Sequence, residues 1–150
     1  MASYLLSTKA LFEFVVGRDR SDATAFHDWT QSLSANQHLF VSEISLGELR
    51  TSVEREENLQ RRDTWRTNLQ IRIPRYFGAR VLPFTGPAVE RWGLIRLVGR
   101  PPLPTEETQL IAQALEGNLS LVGPCTPVHA EIGCKMHDPY DGAGWPGPAL

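Results

Sequence analysis

The chain has 150 residues, 15 Lys and Arg against 17 Asp and Glu, a formal charge of -2 and 41% hydrophobic residues. That length supports one domain with a core of its own, without disulfide staples. The near-neutral balance argues against a nucleic-acid binder working by bulk charge alone, and no run reaches the roughly 18 apolar residues of a membrane span.

Tyr4-Leu5-Leu6 is a short apolar run that stops at Ser7-Thr8, the pattern of a buried parallel strand. Ala10 to Val16 reads as a helix with Gly17 as its C-cap. Asp22 to Leu33 reads as a second, with Ala25, Phe26, Trp29 and Leu33 at helical spacing and Ser21 as N-cap. Leu39-Phe40-Val41 is a second buried strand. Ser45, with Glu48 three residues on, makes a capping-box pattern and opens a long helix to about Trp65 or Leu69. Arg80 to Phe84 predicts a third strand, and Gly86-Pro87 opens a helix carrying Val89, Trp92, Ile95 and Leu97. Gly99 to Pro104 is a loop. Thr105 and Glu106 start a helix that runs through Leu115 and ends at Gly117. Leu119 to Val122 is a fourth strand, and a fifth is expected near Cys134–Met136. Residues 1–141 thus form one domain, followed by a Gly/Pro-rich tail over 142–150.

Strands alternating with helices imply an α/β fold with parallel pairing and helices on both faces. In such a sheet ligands bind beyond the carboxyl ends of the strands, where the strand order reverses. The residues there are Ser7, Thr8 and Lys9 after the first strand, and Gly123, Pro124 and Cys125 after the fourth. Glu48 and Glu107, in the first turns of their helices, face the same mouth. The sequence contains no Walker motif.

Cys125 and Cys134 are not a CxxC pair and read as cytosolic thiols. The N-terminus has no basic lead-in and no small-residue cleavage site, so no signal peptide is expected and the expected location is the cytoplasm. Cys125 reads as a small buried residue or inert thiol; Pro124 and Pro127 disfavour the helix that would pair it with His129. All but Lys9 and Lys135 of the 15 basic residues are arginines. The arginine-rich helix is laced with Glu54, Glu56 and Glu57 and reads as a solvated face. Arg61, Arg62 and Arg66 are the residues that would touch RNA or a partner in the other reading.

A set of segments also carries a resemblance. Tyr4 to Leu11 (YLLSTKAL) looks like an opening LLDTN-V-L/I, and Phe40 to Arg50 (FVSEISLGELR) like the block that follows it. Arg80 to Phe84, then Trp92-Gly93, is similar to a third block. Leu103 to Leu115 (LPTEETQLIAQAL) looks like LP--DA-IAATAL, Leu119 to Val122 like LTLVT-N/D, and Asp138-Pro139-Tyr140 like NPW/DPW. In this order and spacing they resemble the PIN-domain family, and within it the VapC- and FitB-like toxins of toxin–antitoxin modules. The resemblance implies a three-layer α/β/α domain with a parallel sheet of four or five strands. It also implies a Mg²⁺- or Mn²⁺-dependent endoribonuclease held by a DNA-binding antitoxin. Relatives commonly pair through helices around the active-site groove, and the apolar Phe14-Val15-Val16 then points to a homodimer.

The family's chemistry needs carboxylates converging on a hard divalent cation, which polarises a phosphodiester and activates water. By the resemblance Glu48 keeps the family's glutamate, Glu107 replaces the third aspartate, and Glu13 is a further acid nearby. Ser7 stands where the first aspartate would be, Lys9 in place of the asparagine two residues on, and Cys125 in place of the fourth acid. A hydroxyl is a poor substitute for a carboxylate, Lys9 sets a positive charge where the cation would sit, and Cys is a soft ligand. The expectation is a degenerate centre with weak or absent metal binding, in which Lys9 replaces the metal by pairing with the acids. The alternatives are an active ribonuclease holding Mg²⁺ through Glu48, Glu107 and Glu13, and a non-catalytic module binding an antitoxin or RNA.

Overall fold

The computed structural model describes residues 2–17, 23–33 and 38–139. Strands β1 (Ser3–Leu6), β2 (His38–Ser42), β3 (Val81–Leu82), β4 (Ser120–Val122) and β5 (Met136–His137) form one sheet in the order β3-β2-β1-β4-β5. Every neighbouring pair is parallel, and Tyr4 lies opposite Leu39 on one side and Ser120 on the other. The chain winds outward from β1 through β2 and β3, then returns to wind the other way. The reversal falls between β1 and β4.

Successive strand residues point to opposite faces, and the apolar run of β1 feeds both. Leu5 joins Leu110, Ile111, Ala114 and Leu121 on one face, while Leu6 joins Leu11, Phe26, Leu49 and Phe77 on the other. The second face is covered by α1 (Thr8–Val16), α2 (Thr24–Ser32), α3 (Glu43–Glu54), α4 (Leu59–Thr67) and α5 (Ile73–Phe77). The chain continues through α6 (Pro87–Ile95), α7 (Thr105–Gly117) and α8 (Pro127–Ile132). Of these, α7 supplies Leu110, Ile111 and Ala114 to the first face. This is the three-layer parallel arrangement expected, with five strands.

The helix boundaries differ from the expected ones for local reasons. Ser7 caps α1, its Oγ accepting the Ala10 N–H at 3.2 Å, so the helix starts at Thr8. The cap of α3 is Ser42, whose Oγ accepts the Ile44 N–H at 3.0 Å; Ser45 lies buried inside the helix, and Glu48 is not part of a capping box. The single long helix is broken over residues 55–58. Asn58 Oδ1 accepts the Arg61 N–H at 2.9 Å and opens α4, which passes through a π-helical turn at Asn68–Arg72 into α5. Asn118, in the left-handed conformation at φ 52°, caps α7, whereas Gly117 is still helical. Pro127 opens α8 instead of preventing it, because a proline in the first turn gives up no helical bond. β3 is shorter than expected, and β5 lies past Cys134. Ser21, Asp22, Tyr140 and the tail fall outside the described residues.

On α1, Phe14 and Val16 are partly exposed. Val15 is fully buried, and Phe14 meets Phe26, His27 and Phe77 edge-on. Among the described residues the largest exposures of big apolar side chains are at Leu94 of α6 and Leu97 just beyond it, 83% and 75%. Among the described residues no helix is long and apolar enough to cross a membrane.

Candidate functional site

A cavity of about 260 Å³ opens beyond the carboxyl ends of β1 and β4, where the strand order reverses. Ser7, Thr8 and Lys9 line it from the start of α1, and Glu106, Glu107 and Leu110 from α7. Gly123, Pro124, Thr126 and His129 line it from the β4–α8 side, with Leu121 and Met136 completing the apolar part. Ser7 and Gly123 are in close contact: a Cβ at position 123 would stand 2.9 Å from Ser7 Oγ.

Thr8 ties three helices together. Its Oγ1 donates to Glu106 Oε2 at 2.8 Å and lies 3.0 Å from Ser45 Oγ. A threonine has one hydroxyl proton, which here goes to Glu106, so Ser45 is the donor to Thr8. A chain of hydroxyls thus runs from α3 through α1 to α7. Burial holds the Glu106 carboxyl above its usual pKa; the Thr8 hydrogen bond opposes the rise, and the charges of Glu107 and Glu48 add to it.

His129, only 4% exposed, is fixed by its neighbour. Its Nδ1 accepts the Thr126 N–H at 3.2 Å and lies 2.7 Å from Thr126 Oγ1. That arrangement leaves the ring proton of the neutral imidazole on Nε2. Burial lowers the His129 pKa, with the charge of Glu107 and the Thr126 hydrogen bond acting against it.

Ser7, Thr8, Lys9, Glu107, Gly123 and Pro124 all reach the cavity, as the chain order led us to expect. Glu48 is exposed on α3 outside the lining, near enough for Glu106 to feel its charge. Glu13 is buried on α1 and does not line the cavity. Cys125 is exposed and outside the lining, not the small buried residue expected; the His129 Nδ1 that would have met it belongs to Thr126. Lys9 is exposed at the rim and makes no ion pair with a carboxylate of the described residues, so the expected pairing does not form. Among the described residues no three His, Cys, Asp or Glu side chains are grouped to hold a metal ion. Glu106 and Ser45 are site residues that sequence reading missed, and His129 entered it only as a disfavoured partner of Cys125. The doubled acid of Thr105-Glu106-Glu107 signalled the first, although the motif accommodates only Glu107.

The arginines of α4 lie outside this lining. Arg66 makes a two-pronged pair with Glu54, its Nε donating at 2.7 Å, and approaches Asp63 at 3.6 Å. Arg61 reaches Glu56 at 3.5 Å. The hydrogen bond from Arg66, with the charges of Arg50 and Arg62, holds the Glu54 carboxyl below its usual range, against a smaller effect of desolvation. Arg61 and Arg66 are thus matched within the chain, whereas Arg62 Nε has no hydrogen-bond partner among the described residues.

A family model described as PIN domain matches residues 4–123. No curated protein matches the sequence. Among solved structures, FitAcB from Neisseria gonorrhoeae superposes with a TM-score of 0.78 at 21% identity, over 91% of this chain and 98% of that one. VapBC2 from Rickettsia felis, bound to a DNA fragment from its promoter, gives 0.68 at 15% identity over 91% and 98%. DNA-bound VapBC from Salmonella typhimurium gives 0.67 at 17% identity over 93% and 99%. At these identities the likeness is one of fold.

Proposed function

The chain belongs to the PIN-domain family, and from that premise we propose that it is the toxin-like half of a toxin–antitoxin pair, of the endoribonuclease class, with weak or lost metal-dependent activity. The observation that carries this reading is the donor set at the reversal between β1 and β4. In the family Mg²⁺ or Mn²⁺ supplies polarisation of the phosphodiester and activation of water. The residues here do not fit such an ion. The Ser7 hydroxyl is committed to capping α1, Lys9 brings a positive charge to the rim, and Cys125 lies outside the lining. Hard divalent ions take several oxygens, preferably carboxylates, and among the described residues Glu106 and Glu107 are the only carboxylates that line the cavity, the former already bonded to Thr8. The active alternative through Glu48, Glu107 and Glu13 is disfavoured because Glu13 is buried away from the lining.

The expected partner is a cognate antitoxin, as in the FitAcB and VapBC complexes. A homodimer remains part of the reading, with Leu94 of α6 and Leu97 in the turn that follows it as its exposed apolar contact. The expected location is the cytoplasm. An RNA-digestion assay in millimolar Mn²⁺ tests the catalytic part. The unmodified protein should leave the RNA intact, whereas Ser7→Asp, Lys9→Asn and Cys125→Asp together should cleave it. Rapid Mn²⁺-dependent cleavage by the unmodified protein would contradict the reading.

A further inference from the structure

The cavity brings acceptors and donors together without satisfying either. Glu106 and Glu107 on α7 present carboxylate oxygens, Lys9 on α1 presents an ammonium, and His129 on α8 presents an imidazole. Two acids oppose the entry of a phosphate, and the lysine opposes a metal cation. A neutral, flat molecule with N–H donors on one edge and acceptors on another satisfies both sets, with Leu110, Leu121 and Met136 against its faces. His129 is the independent pointer to a ligand. It is 4% exposed, its Nδ1 is fixed by Thr126, and its Nε2–H has no partner among the described residues. That N–H is therefore available to an acceptor on a molecule in the cavity. At about 260 Å³ the cavity is smaller than the roughly 300–1,000 Å³ of drug-sized sites, so its ligand is compact.

We propose that this cavity is a nucleobase pocket and that it takes guanine from single-stranded RNA. The proposal rests on the toxin-like reading above, which supplies RNA as the source of the base. Guanine alone among the four bases carries N1–H and N2–H side by side, a pair that one carboxylate receives with both oxygens. Glu107 is that carboxylate, because Glu106 is already held by Thr8. The O6 and N7 atoms then accept from Lys9 Nζ and His129 Nε2–H, the two acceptors that basic side chains also read on guanine in duplex DNA. Adenine and cytosine each offer one amino group beside acceptors, and uracil one N–H between two carbonyls. Only an unpaired base exposes this edge, as in the loops and ends where proteins read RNA sequence.

Calorimetric titration of the full chain with guanosine, adenosine, cytidine and uridine, in EDTA, tests the proposal. Guanosine should bind at least tenfold more tightly than the other three. Glu107→Gln should abolish that preference, because an amide offers one acceptor where a carboxylate offers two. His129→Gln should weaken guanosine binding. Since His129 also helps to cap α8, Lys9→Met, at an exposed position, gives a second reading of the donor side without risk to the fold. Equal affinity for the four nucleosides, no binding at all, or a preference that survives Glu107→Gln would overturn the pocket. Antitoxin binding without guanosine binding would remove the pocket and keep the toxin-like reading. Guanosine binding by a chain that takes neither RNA nor antitoxin would keep the pocket and remove that reading.

Discussion

Glu106 is the residue on which this site turns, although the family pattern passes over it in favour of its neighbour. Its carboxyl is half-buried among like charges and tied to the Thr8 hydroxyl, and the balance raises its pKa above the ordinary 4.5. An acid with a raised folded pKa binds its proton more tightly in the native state, so its contribution favours folding at low pH and is lost as pH rises through the folded value. Thermal denaturation should therefore show that stability falls from about pH 4.5 upward relative to Glu106→Gln, the variant lacking this slope. A pH profile unchanged by Glu106→Gln would contradict the placement. Lys9 leads to the opposite kind of expectation. It is exposed and makes no ion pair with the described carboxylates, so Lys9→Met should change stability by no more than about 0.5 kcal/mol. Losses of about 2 kcal/mol in chemical denaturation would restore the surrogate-cation idea that the geometry displaces.

The arginine-rich elements show what a periodic reading resolves and what it misses. The apolar run of β1 was legible because Leu5 and Leu6 feed opposite cores, which leaves no polar position to confuse the pattern. The break between α3 and α4 was not, because the charged stretch around residues 55–58 has no apolar period whose loss would mark a stop. There the deciding contact is one Asn58 side chain on the Arg61 N–H. The same stretch shows acids answering several of these arginines, in keeping with the solvated face read from the sequence. Arg66 and Arg61 are paired with Glu54, Asp63 and Glu56, and Arg62 contributes to the charge felt by Glu54. Replacing Arg61, Arg62 and Arg66 together with Gln should leave the salt dependence of any RNA binding unchanged. A slope flattened by roughly 0.7 log units per log salt for each lost phosphate contact would place RNA on α4 instead.

At the scale of the molecule, the parallel order β3-β2-β1-β4-β5 decides where a site can be. Chain order and that rule were enough to bring Ser7, Thr8, Lys9, Gly123 and Pro124 to one mouth. They were not enough to find the Ser45–Thr8–Glu106 chain or the fixed ring of His129. The first joins residues from three helices, with Thr8 and Glu106 98 positions apart, and no local pattern encodes it. The second depends on a capping contact made by a histidine, where the usual capping box has Glu or Gln. What results is a PIN domain in which one cavity carboxylate, Glu106, is bonded to Thr8 and the rim carries a lysine. Calorimetric titration of the unmodified protein with Mg²⁺ and with Mn²⁺ tests this most directly: no saturable binding is expected through the millimolar range, and a saturable isotherm abolished by Glu107→Gln would contradict it.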